Sequence, residues 1–181
     1  MDRPMPNFMF KGMSFILKLR DFFRPREDVL REVGIAPNAT VLDFGCGPGS
    51  YTLLAAKQLG QSGKVYALDI HPLAVQRIRD TVAKMGLTNV ETIHSDCDTG
   101  LADNSVDAVL LHDVFHMFSN PSKILAELHR ILKPDGVLSF SDHHMQEEDI
   151  LSRVTRNRLF KLSKKGERVY NFVTTNGGIT L

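Results

Sequence analysis

The feature that most constrains the fold of this chain is a glycine-rich turn between a short apolar run and a helical pattern. The run 41–44 predicts a buried strand, which leads into the segment Asp43-Phe44-Gly45-Cys46-Gly47-Pro48-Gly49-Ser50. Glycines at such a turn let the backbone reverse tightly and let a ligand approach without meeting a Cβ atom. A Gly-x-Gly loop alone occurs in several nucleotide-binding folds, so its context decides what it binds.

The chain then alternates short β-branched runs with helical patterns. Strands are expected at 41–44, 64–69, 90–94, 106–111 and 137–141, and helices at 51–59, 72–85, 120–132 and 147–155. Gly60 and Gly86 fit helix ends, whereas Pro72 and Asn120-Pro121 fit helix starts. Strands that alternate with helices of this length imply right-handed crossovers and a mostly parallel sheet.

Two β-like runs, 159–163 and 168–174, follow with only Lys164-Lys165-Gly166-Glu167 between them. A glycine-containing turn this short predicts an antiparallel hairpin and not another crossover. The predicted fold class is therefore α/β, a single-domain, doubly wound, mostly parallel seven-stranded sheet with an antiparallel C-terminal hairpin. We expect residues 1–34 to form a helical segment on the core or over the pocket, residues 35–174 to form the domain, and residues 175–181 to be a loose tail.

Composition and charge exclude several classes of function. The 181 residues carry 22 Lys and Arg against 21 Asp and Glu, and this net charge of +1 does not favour a nucleic-acid partner. No apolar run approaches the roughly 20 residues needed to cross a bilayer, and the N-terminus does not resemble a signal peptide. Two cysteines cannot build a disulfide framework. We expect a cytoplasmic protein without stable membrane insertion, and the oligomeric state is not indicated.

The N-terminal stretch 8–19 is apolar. We expect it to form a helix that packs on the sheet or over the mouth of the pocket. Because Lys11, Lys18 and Arg20 flank the apolar residues, a helix lying on a membrane surface is the alternative. The stretch lacks a clean polar face, which favours packing on the protein.

Carboxylates follow two further predicted strands. Asp69 ends the second strand, where a carboxylate can accept both hydroxyl protons of a ribose. Asp96 follows the third strand, where it can accept a hydrogen bond from an adenine amino group. Each aspartate taken singly also fits a helix start or a loop. Together with the glycine loop they are expected to converge on the crevice where open α/β sheets bind ligands.

The stretch Val41-Leu42-Asp43-Phe44-Gly45-Cys46-Gly47-Pro48-Gly49 resembles the first motif of class I S-adenosylmethionine (SAM)-dependent methyltransferases. The resemblance continues through 65–70, through 107–111 with His116 after it, and through Arg130-Ile131-Leu132-Lys133-Pro134-Asp135-Gly136. It spans roughly residues 35–174 and points to the small-molecule enzymes that resemble ubiquinone and menaquinone C-methyltransferases. The hairpin fits as well, because that family inserts its last strand antiparallel between the fifth and the sixth.

This resemblance implies methyl transfer from SAM to a small-molecule acceptor, with S-adenosylhomocysteine (SAH) as product. It implies that the glycine loop holds the methionine end of SAM and that Asp69 binds the ribose. The adenine is then expected to contact Ile70, Asp96 and Cys97. The implied cofactor-binding residues are Asp43, Gly45, Cys46, Gly47, Gly49, Asp69, Ile70, Asp96, Cys97 and His112. Only one short helix separates the fifth strand from the hairpin, where many relatives carry segments that cover the substrate, so the acceptor cannot be carried over.

Histidines and aspartates follow the fourth and fifth strands, where an acceptor would lie. A base is needed only if the accepting atom arrives protonated, and histidine is the usual side chain for that task. We expect the base to be one of three residues, His112, His143 and His144. His143 is favoured because it directly follows Asp142. His116 lies nearby and is a further candidate, and its alternative role is structural packing.

Three other interpretations stay open. A metal site among these histidines is not favoured, because His143 and His144 would point apart if the strand continued, so no metal is predicted. An NAD-dependent oxidoreductase is disfavoured because Ser50 stands where a dinucleotide fingerprint needs its third glycine. A SAM-binding module without catalysis would share every cofactor feature, and only turnover separates it from an enzyme.

Overall fold

The computed structural model describes residues 26–175, together with Pro4, residues 6–9 and Gly12. Residues 7–9 are helical and the side chains of Phe8 and Met9 are exposed. The remainder of the predicted N-terminal segment before residue 26, and residues 176–181 of the predicted tail, lie outside the described residues. Within the described part of the chain, no helix combines the length and apolar character that crossing a bilayer requires.

Helices and strands alternate along the described chain and close with a hairpin. In order, they are α1 Glu27–Val33, β1 Thr40–Phe44, α2 Ser50–Leu59, β2 Lys64–Asp69, α3 Pro72–Met85, β3 Val90–His94, β4 Val106–His112, α4 Pro121–Ile131, β5 Leu132–Ser141, α5 Glu147–Thr155, β6 Phe160–Lys165 and β7 Tyr170–Thr174. Single 3₁₀ turns lie at Gly60–Ser62 and Phe115–Met117. The strands and helices predicted between residues 35 and 174 are all present, and β5 starts earlier than predicted because Leu132 already pairs with Val106.

The strands form a seven-stranded sheet in the order β3-β2-β1-β4-β5-β7-β6. Strands β1 to β5 pair in parallel, and β7 pairs antiparallel with both β5 and β6. The predicted α/β fold with an antiparallel C-terminal hairpin is therefore confirmed. The strand order reverses between β1 and β4, and a crevice opens beyond the carboxyl ends of the strands at such a switch point.

Local capping explains where two of the helices begin. The Asn120 side chain accepts a hydrogen bond from the Lys123 backbone N–H at 3.1 Å, which caps α4. His71 caps α3, because its Nδ1 accepts the Leu73 backbone N–H at 3.2 Å. The cap of α3 is therefore His71 and not Asp69, which leaves the Asp69 carboxylate for another use.

The sheet is covered on both faces by apolar side chains, as a parallel sheet requires. Along β4, Val109 and Leu111 belong to a core with Leu125 and Leu128 of α4. The alternate β4 residues Ala108 and Leu110 belong to a second core, whose helical members are Leu30 of α1 and Ala55, Ala56 and Leu59 of α2. Packing on both faces holds the carboxyl ends of β1, β2 and β4 at one rigid edge.

Candidate active site

A cavity of about 400 Å³ opens at the carboxyl ends of β1, β2 and β4. Its volume lies within the range of small-molecule and cofactor sites. The predicted residues that line it are Asp43, Gly45, Cys46, Gly47, Asp69, Ile70, Asp96, His112, His143 and His144. Gly49 and Cys97, which were also predicted at the cofactor, lie outside this lining.

The glycine-rich loop is held against the end of β2 by its own backbone. The N–H groups of Gly45 and Cys46 both donate to the Leu68 carbonyl, at 2.8 and 3.0 Å. The Gly47 N–H donates to Oδ2 of Asp69 at 2.8 Å. Loop and strand end are therefore fixed relative to one another before any ligand binds.

The structure separates the roles of the glycines in this loop. Gly47 has φ of +50° and a Cβ atom built on it would meet nothing within 4 Å, so its open side faces the cavity. Gly49 has φ of +89°, and a Cβ there would lie 2.9 Å from Cγ1 of Ile78. Gly49 is thus required where the start of α2 packs against α3. The pattern assigned it to the cofactor because sequence spacing cannot distinguish a packing glycine from a binding one.

Asp69 is held from two sides by backbone donors. Its Oδ1 accepts the His71 N–H at 2.7 Å, and its Oδ2 accepts the Gly47 N–H at 2.8 Å. Burial raises the pKa of the carboxyl, while these backbone hydrogen bonds lower it. Each carboxylate oxygen keeps a further lone pair. The group can therefore accept two more hydrogen bonds from a ligand in the cavity, as a pair of ribose hydroxyls would provide.

Asp43 lies beneath the loop with 3% of its surface exposed. The Thr52 hydroxyl donates to its Oδ2 at 2.6 Å. Burial raises the pKa of Asp43 to about 6, although the Thr52 hydrogen bond and the positive charge of Arg26 both act to lower it. The cavity therefore contains a carboxyl that changes charge near pH 6.

The two cysteines are buried thiols. Burial raises the pKa of both Cys46 and Cys97, so both stay protonated near neutral pH. Cys46 lines the cavity as a loop residue. Cys97 is turned into the core, and its backbone N–H donates to the Ser95 hydroxyl at 3.3 Å. Its predicted contact with the adenine is therefore not found in the cavity lining.

His112 ends β4 in a buried position beneath the cavity. Its Nε2 lies 3.0 Å from the Ser139 hydroxyl, and its ring packs edge-on against Tyr51 with centroids 4.6 Å apart. Burial lowers the pKa of His112 to about 3. A ring with so little affinity for a proton is a poor general base, so burial disfavours the predicted catalytic role of His112. Its Nδ1 is buried without a hydrogen-bond partner among the described residues, so a ligand contact remains open to it.

His116 lies in the 3₁₀ turn after β4 and is paired with a buried carboxylate. Its Nδ1 lies 2.9 Å from Oδ2 of Asp142, and its backbone N–H donates to the same oxygen at 3.0 Å. The carboxylate of Asp142 is fully buried, whereas 28% of the His116 side chain is exposed and lines the cavity. A carboxylate only accepts, so Nδ1 donates, and the ring tautomer that this selects carries its lone pair on Nε2.

His143 and His144 follow β5 in a turn beside His116. The Nδ1 of His143 lies 2.6 Å from Oδ1 of Asp113, which adopts a positive φ of 55°. The ring of His144 lies between those of His143 and His116, with centroid distances of 4.1 and 4.3 Å. Because β5 ends at Ser141, the two adjacent histidines do not alternate as in a continuing strand, and their rings pack together.

The metal interpretation of the sequence concerns this histidine group. Within the described part of the chain, no three His, Cys, Asp or Glu side chains are placed to hold a metal ion together. The two outer rings already turn an Nδ1 atom to a carboxylate, His116 to Asp142 and His143 to Asp113.

Sequence reasoning missed two residues that line this cavity. His116 was not among the three residues predicted as the base, and structural packing was its alternative role, because its pairing with Asp142 depends on how the turn after β4 folds back. Arg26 carries no motif, and the structure places its Cζ atom 4.1 Å from the centre of the Tyr51 ring. Both Arg26 and Tyr51 line the cavity.

The residues of the cavity fit SAM. Gly47 leaves open the space that a close approach to the backbone needs, and Asp69 keeps acceptor capacity for a ribose. The exposed carboxylate of Asp96 lies at the rim, where it can reach an adenine amino group. The buried Nδ1 of His112 offers a further polar contact. This chemistry matches the adenosine and amino-acid parts of the cofactor.

Comparison with known proteins agrees with this fit. A family described as "Methyltransferase domain" matches residues 35–177. A demethylmenaquinone methyltransferase from Geobacillus stearothermophilus is 30% identical over 129 residues, which are 71% of this chain and 55% of that protein. An arsenite methyltransferase from Halobacterium salinarum is 33% identical over 109 residues, which are 60% of this chain and 28% of that protein. The chain thus spans about half the length, or less, of these curated relatives.

Solved structures show the same fold. A SAM-dependent methyltransferase from Aquifex aeolicus matches with a TM-score of 0.77 and 27% identity, over 94% of this chain and all of that chain. A protein from Methanococcus maripaludis matches with a TM-score of 0.72 over the whole of both chains at 17% identity, which shows the fold alone. The sheet order, the glycine loop and the family match over residues 35–177 establish together that the chain belongs to the class I SAM-dependent methyltransferases.

Proposed function

We propose that this chain transfers a methyl group from SAM to a small-molecule acceptor that carries an ionisable O–H group. The observation that carries the proposal is the composition of the cavity. Gly47 and Asp69 line its cofactor side, and the packed rings of His116, His143 and His144 line it after β4 and β5. A cofactor crevice with proton-accepting side chains beside it is the arrangement that such a transfer needs.

The cofactor side of the cavity supplies orientation. Gly47 gives a close approach to the loop, Asp69 accepts the ribose hydroxyls, and Asp96 receives the adenine amino group. Bound SAM supplies an activated methyl group on a sulfonium, which is already a good leaving group. The task of these residues is therefore to align the ligand and exclude water, and no side chain has to break the bond.

The acceptor side supplies a base. His116 is the residue that we propose for it, because the buried Asp142 carboxylate holds Nδ1 and leaves the lone pair of Nε2 for the acceptor proton. His143 is the second candidate, since Asp113 holds its Nδ1 in the same way. The His143 pair is more open to water, with 56% of the imidazole and 25% of the carboxylate exposed.

Apolar side chains next to these histidines favour an aromatic acceptor. Val114, Met117 and Phe118 line the same cavity. A pocket with apolar walls and a few polar groups suits a flat ring that bears a hydroxyl. The curated relative from Geobacillus stearothermophilus is a demethylmenaquinone methyltransferase, and by that similarity we propose a quinol or phenol for this chain. A cytoplasmic location and the absence of a nucleic-acid partner stay predictions from composition.

The test is a screen for SAH release from SAM with purified protein. The panel contains a soluble naphthoquinol, a catechol, a simple phenol, an amine, a thiol and arsenite, the last because of the second curated relative. We expect release with the quinol or the phenols and none without acceptor. The Asp69→Ala variant serves as control for cofactor-dependent turnover. Labelled methyl transfer from SAM to RNA, DNA or protein of a cell extract, with none to small molecules, would contradict the proposal.

The remaining alternative is a SAM-binding module without catalysis. Binding alone cannot separate it from an enzyme, so the decisive measurement is turnover. If calorimetry gives SAM binding while neither the panel nor the small-molecule fraction of an extract is methylated, the module is the better description. The packed histidines beside the cofactor side favour the enzyme, because a binding module has no use for a base.

A further inference from the structure

We propose that the outer edge of the C-terminal hairpin is a docking surface for an anionic lipid membrane. This surface, the basic edge, surrounds strand β6 and consists of Leu162 and five cationic residues, Arg153, Arg156, Arg158, Lys161 and Lys164. It lies outside the cavity and goes beyond the proposed function. The inference is carried by the concentration of charge in this segment, by the exposure of its unpaired cations and by the apolar side chain among them.

Positive charge is concentrated in one segment of the chain. Residues 151–168 contain seven Lys and Arg and one Glu, whereas the whole chain has 22 Lys and Arg against 21 Asp and Glu. The rest of the chain is therefore acidic, and the net charge of +1 conceals a strongly basic segment. Such an asymmetry is typical of proteins that contact an anionic surface.

The fold gathers this charge at one border of the sheet. Helix α5 packs beside β6, and β6 is the last strand in the sheet order. Arg153 lies on the exposed side of α5, because Ile150 and Val154 of that helix are buried. The other four cations follow in the connection after α5 and in β6, and all four are exposed.

The five cations are not neutralised by the protein itself. Lys165 and Arg168 of the same segment form ion pairs, with Glu147 and Asp28 respectively. Within the part of the chain that the structure describes, the five residues of the basic edge have no such partner. Lysines on an edge strand also prevent pairing with another chain, but that role does not explain the three arginines outside β6. Unpaired cations that lie together favour contact with an anionic surface.

The side chains between these cations favour a lipid surface over nucleic acid or protein. Leu162 lies between Lys161 and Lys164 and is 39% exposed. The hairpin aromatic residues Phe160 and Phe172 are buried, so they offer no platform on which bases could stack. A protein partner would bury a surface that is poor in lysine. A bilayer needs no such match, because Lys and Arg reach its headgroups while an apolar side chain enters the boundary beneath them.

The described residues near the N-terminus indicate the same kind of partner independently. Phe8 and Met9 are 75% and 52% exposed. The sequence left open that the apolar stretch 8–19 lies on a membrane surface, because basic residues flank it. The exposure of these two apolar side chains agrees with that interpretation.

Docking at the basic edge leaves the cavity uncovered. Strands β5 and β7 separate β6 from β4, which borders the cavity. Lys164 pairs with Asn171, and Asn171 pairs with Ser139, two residues before β5 ends. One end of the basic edge is therefore nearly level with the edge of the sheet at which the cavity opens. The protein can be held at a lipid surface without blocking its cofactor site.

The experiment measures co-sedimentation of the full chain with lipid vesicles. Vesicles of phosphatidylcholine alone are compared with vesicles that contain about one third phosphatidylglycerol, at salt concentrations of about 0.1 M and about 1 M. We expect binding to the anionic vesicles at the lower salt, and binding at least about tenfold weaker to neutral vesicles or at the higher salt. Each basic residue near an anionic surface contributes about fivefold, so the double variant K161Q/K164Q should lower the partition coefficient by about 25-fold.

Two further variants make the test specific. The double variant K57Q/K84Q removes two exposed lysines of α2 and α3, so it has the same charge change and should bind as the wild type does. Leu162→Ser keeps every charge and should also weaken binding to anionic vesicles, because membrane affinity scales with the apolar area that is buried. All variants should keep the melting temperature of the wild type, since the substituted side chains are exposed.

Three results would overturn the proposal. The first is a wild-type chain that does not bind anionic vesicles or binds neutral ones equally well. The second is an equal loss of binding in K161Q/K164Q and K57Q/K84Q, or no loss in Leu162→Ser. The third is tighter binding of single-stranded RNA or duplex DNA than of anionic vesicles, lost in K161Q/K164Q. SAH release with a soluble acceptor should be the same in K161Q/K164Q and wild type. A chain that binds anionic vesicles as predicted but methylates no acceptor would contradict the proposed function alone.

Discussion

His116 and Asp142 form a hydrogen-bonded pair that joins the ends of β4 and β5. The distance from Nδ1 to Oδ2 is 2.9 Å, and the carboxylate is fully buried. The same carboxylate also accepts the backbone N–H groups of His116 and His144 at 3.0 and 3.1 Å. A carboxylate held by three donors is a fixed support, so the orientation and the tautomer of the His116 ring are set before an acceptor arrives.

We predict that His116→Ala lowers kcat by about 100-fold or more, the usual contribution of a general base. The Kd for SAH should stay the same, because we propose that the ring lies on the acceptor side of the cavity and not on the cofactor side. His143→Ala is the control and should lower kcat by less, since its pair is more exposed. The measurement is steady-state turnover with the best acceptor of the screen. If kcat falls further in His143→Ala than in His116→Ala, His143 and not His116 is the general base.

Asp142→Asn tests the support behind the base. An amide can donate to Nδ1 and so favours the wrong tautomer, which removes the lone pair from Nε2. We predict a lower kcat, a shifted pH profile of kcat and little change in KM for the acceptor. If Asp142 has only a structural role, Asp142→Asn will lower the melting temperature without moving the pH profile of kcat. That result would contradict the assignment.

The Asp69 carboxylate should contribute more to cofactor affinity than the Asp96 carboxylate at the rim. We predict that Asp69→Ala weakens SAH binding by about 1.5–3 kcal/mol, the range for a hydrogen bond to a charged group. Asp69 also holds the Gly47 N–H, so part of this loss reflects a less ordered loop. Asp96→Ala, at an exposed position, is the matched control with a smaller expected effect. An unchanged Kd in a correctly folded Asp69→Ala would remove this residue from the site.

Gly47→Ala and Gly49→Ala should fail in different ways. At Gly47 a methyl group would enter open cavity space, so SAH affinity should fall while the fold survives a strain of about 1–2 kcal/mol at positive φ. At Gly49 the methyl group would lie 2.9 Å from Ile78, so the free energy of unfolding should drop further. Thermal melting and calorimetry on both variants check this. Equal SAH affinity for Gly47→Ala and wild type would show that the loop is not approached by the ligand.

Much of the fold could be predicted because its signals are local. Pro72 and Asn120 specify helix starts through their own geometry, and the alternation of strands and helices leaves few arrangements of the sheet. The positions of the residues at the ends of β1 and β2 follow from this alternation, because parallel strands place their carboxyl ends at one edge of the sheet. The sequence therefore predicted three site residues that line the cavity, namely Asp43, Gly47 and Asp69.

The residues that could not be predicted depend on side-chain packing between distant segments. The pairing of His116 with Asp142 requires a 3₁₀ turn that folds back over the end of β5. Arg26 precedes the first strand, so no periodic pattern connects it with Tyr51. The low proton affinity of His112 could not be predicted for a related reason, because it comes from burial that sequence spacing does not encode.

Cofactor affinity should depend on the protonation of Asp43. Burial raises its pKa to about 6, so the carboxyl is charged above pH 6 and neutral below it. Only the charged form attracts the ammonium of SAM, so the affinity should be constant above pH 6 and fall by up to about tenfold per pH unit below it. Decarboxylated SAM keeps the ammonium and should follow the same profile. A flat profile between pH 5 and pH 7.5, or an unaltered profile in Asp43→Asn, would contradict this link.

The hairpin should be part of the core sheet and not an appendage. Strand β7 lies between β5 and β6, where Leu138 pairs with Phe172 and Phe172 pairs with Leu162. Phe160 and Phe172 are almost fully buried in the larger core. Truncation after Arg158 would expose the edge of β5 and this apolar surface, so we predict insoluble protein. Truncation after Thr175 is the matched control and should melt cooperatively. A soluble, cooperatively melting protein truncated after Arg158 would contradict the assignment.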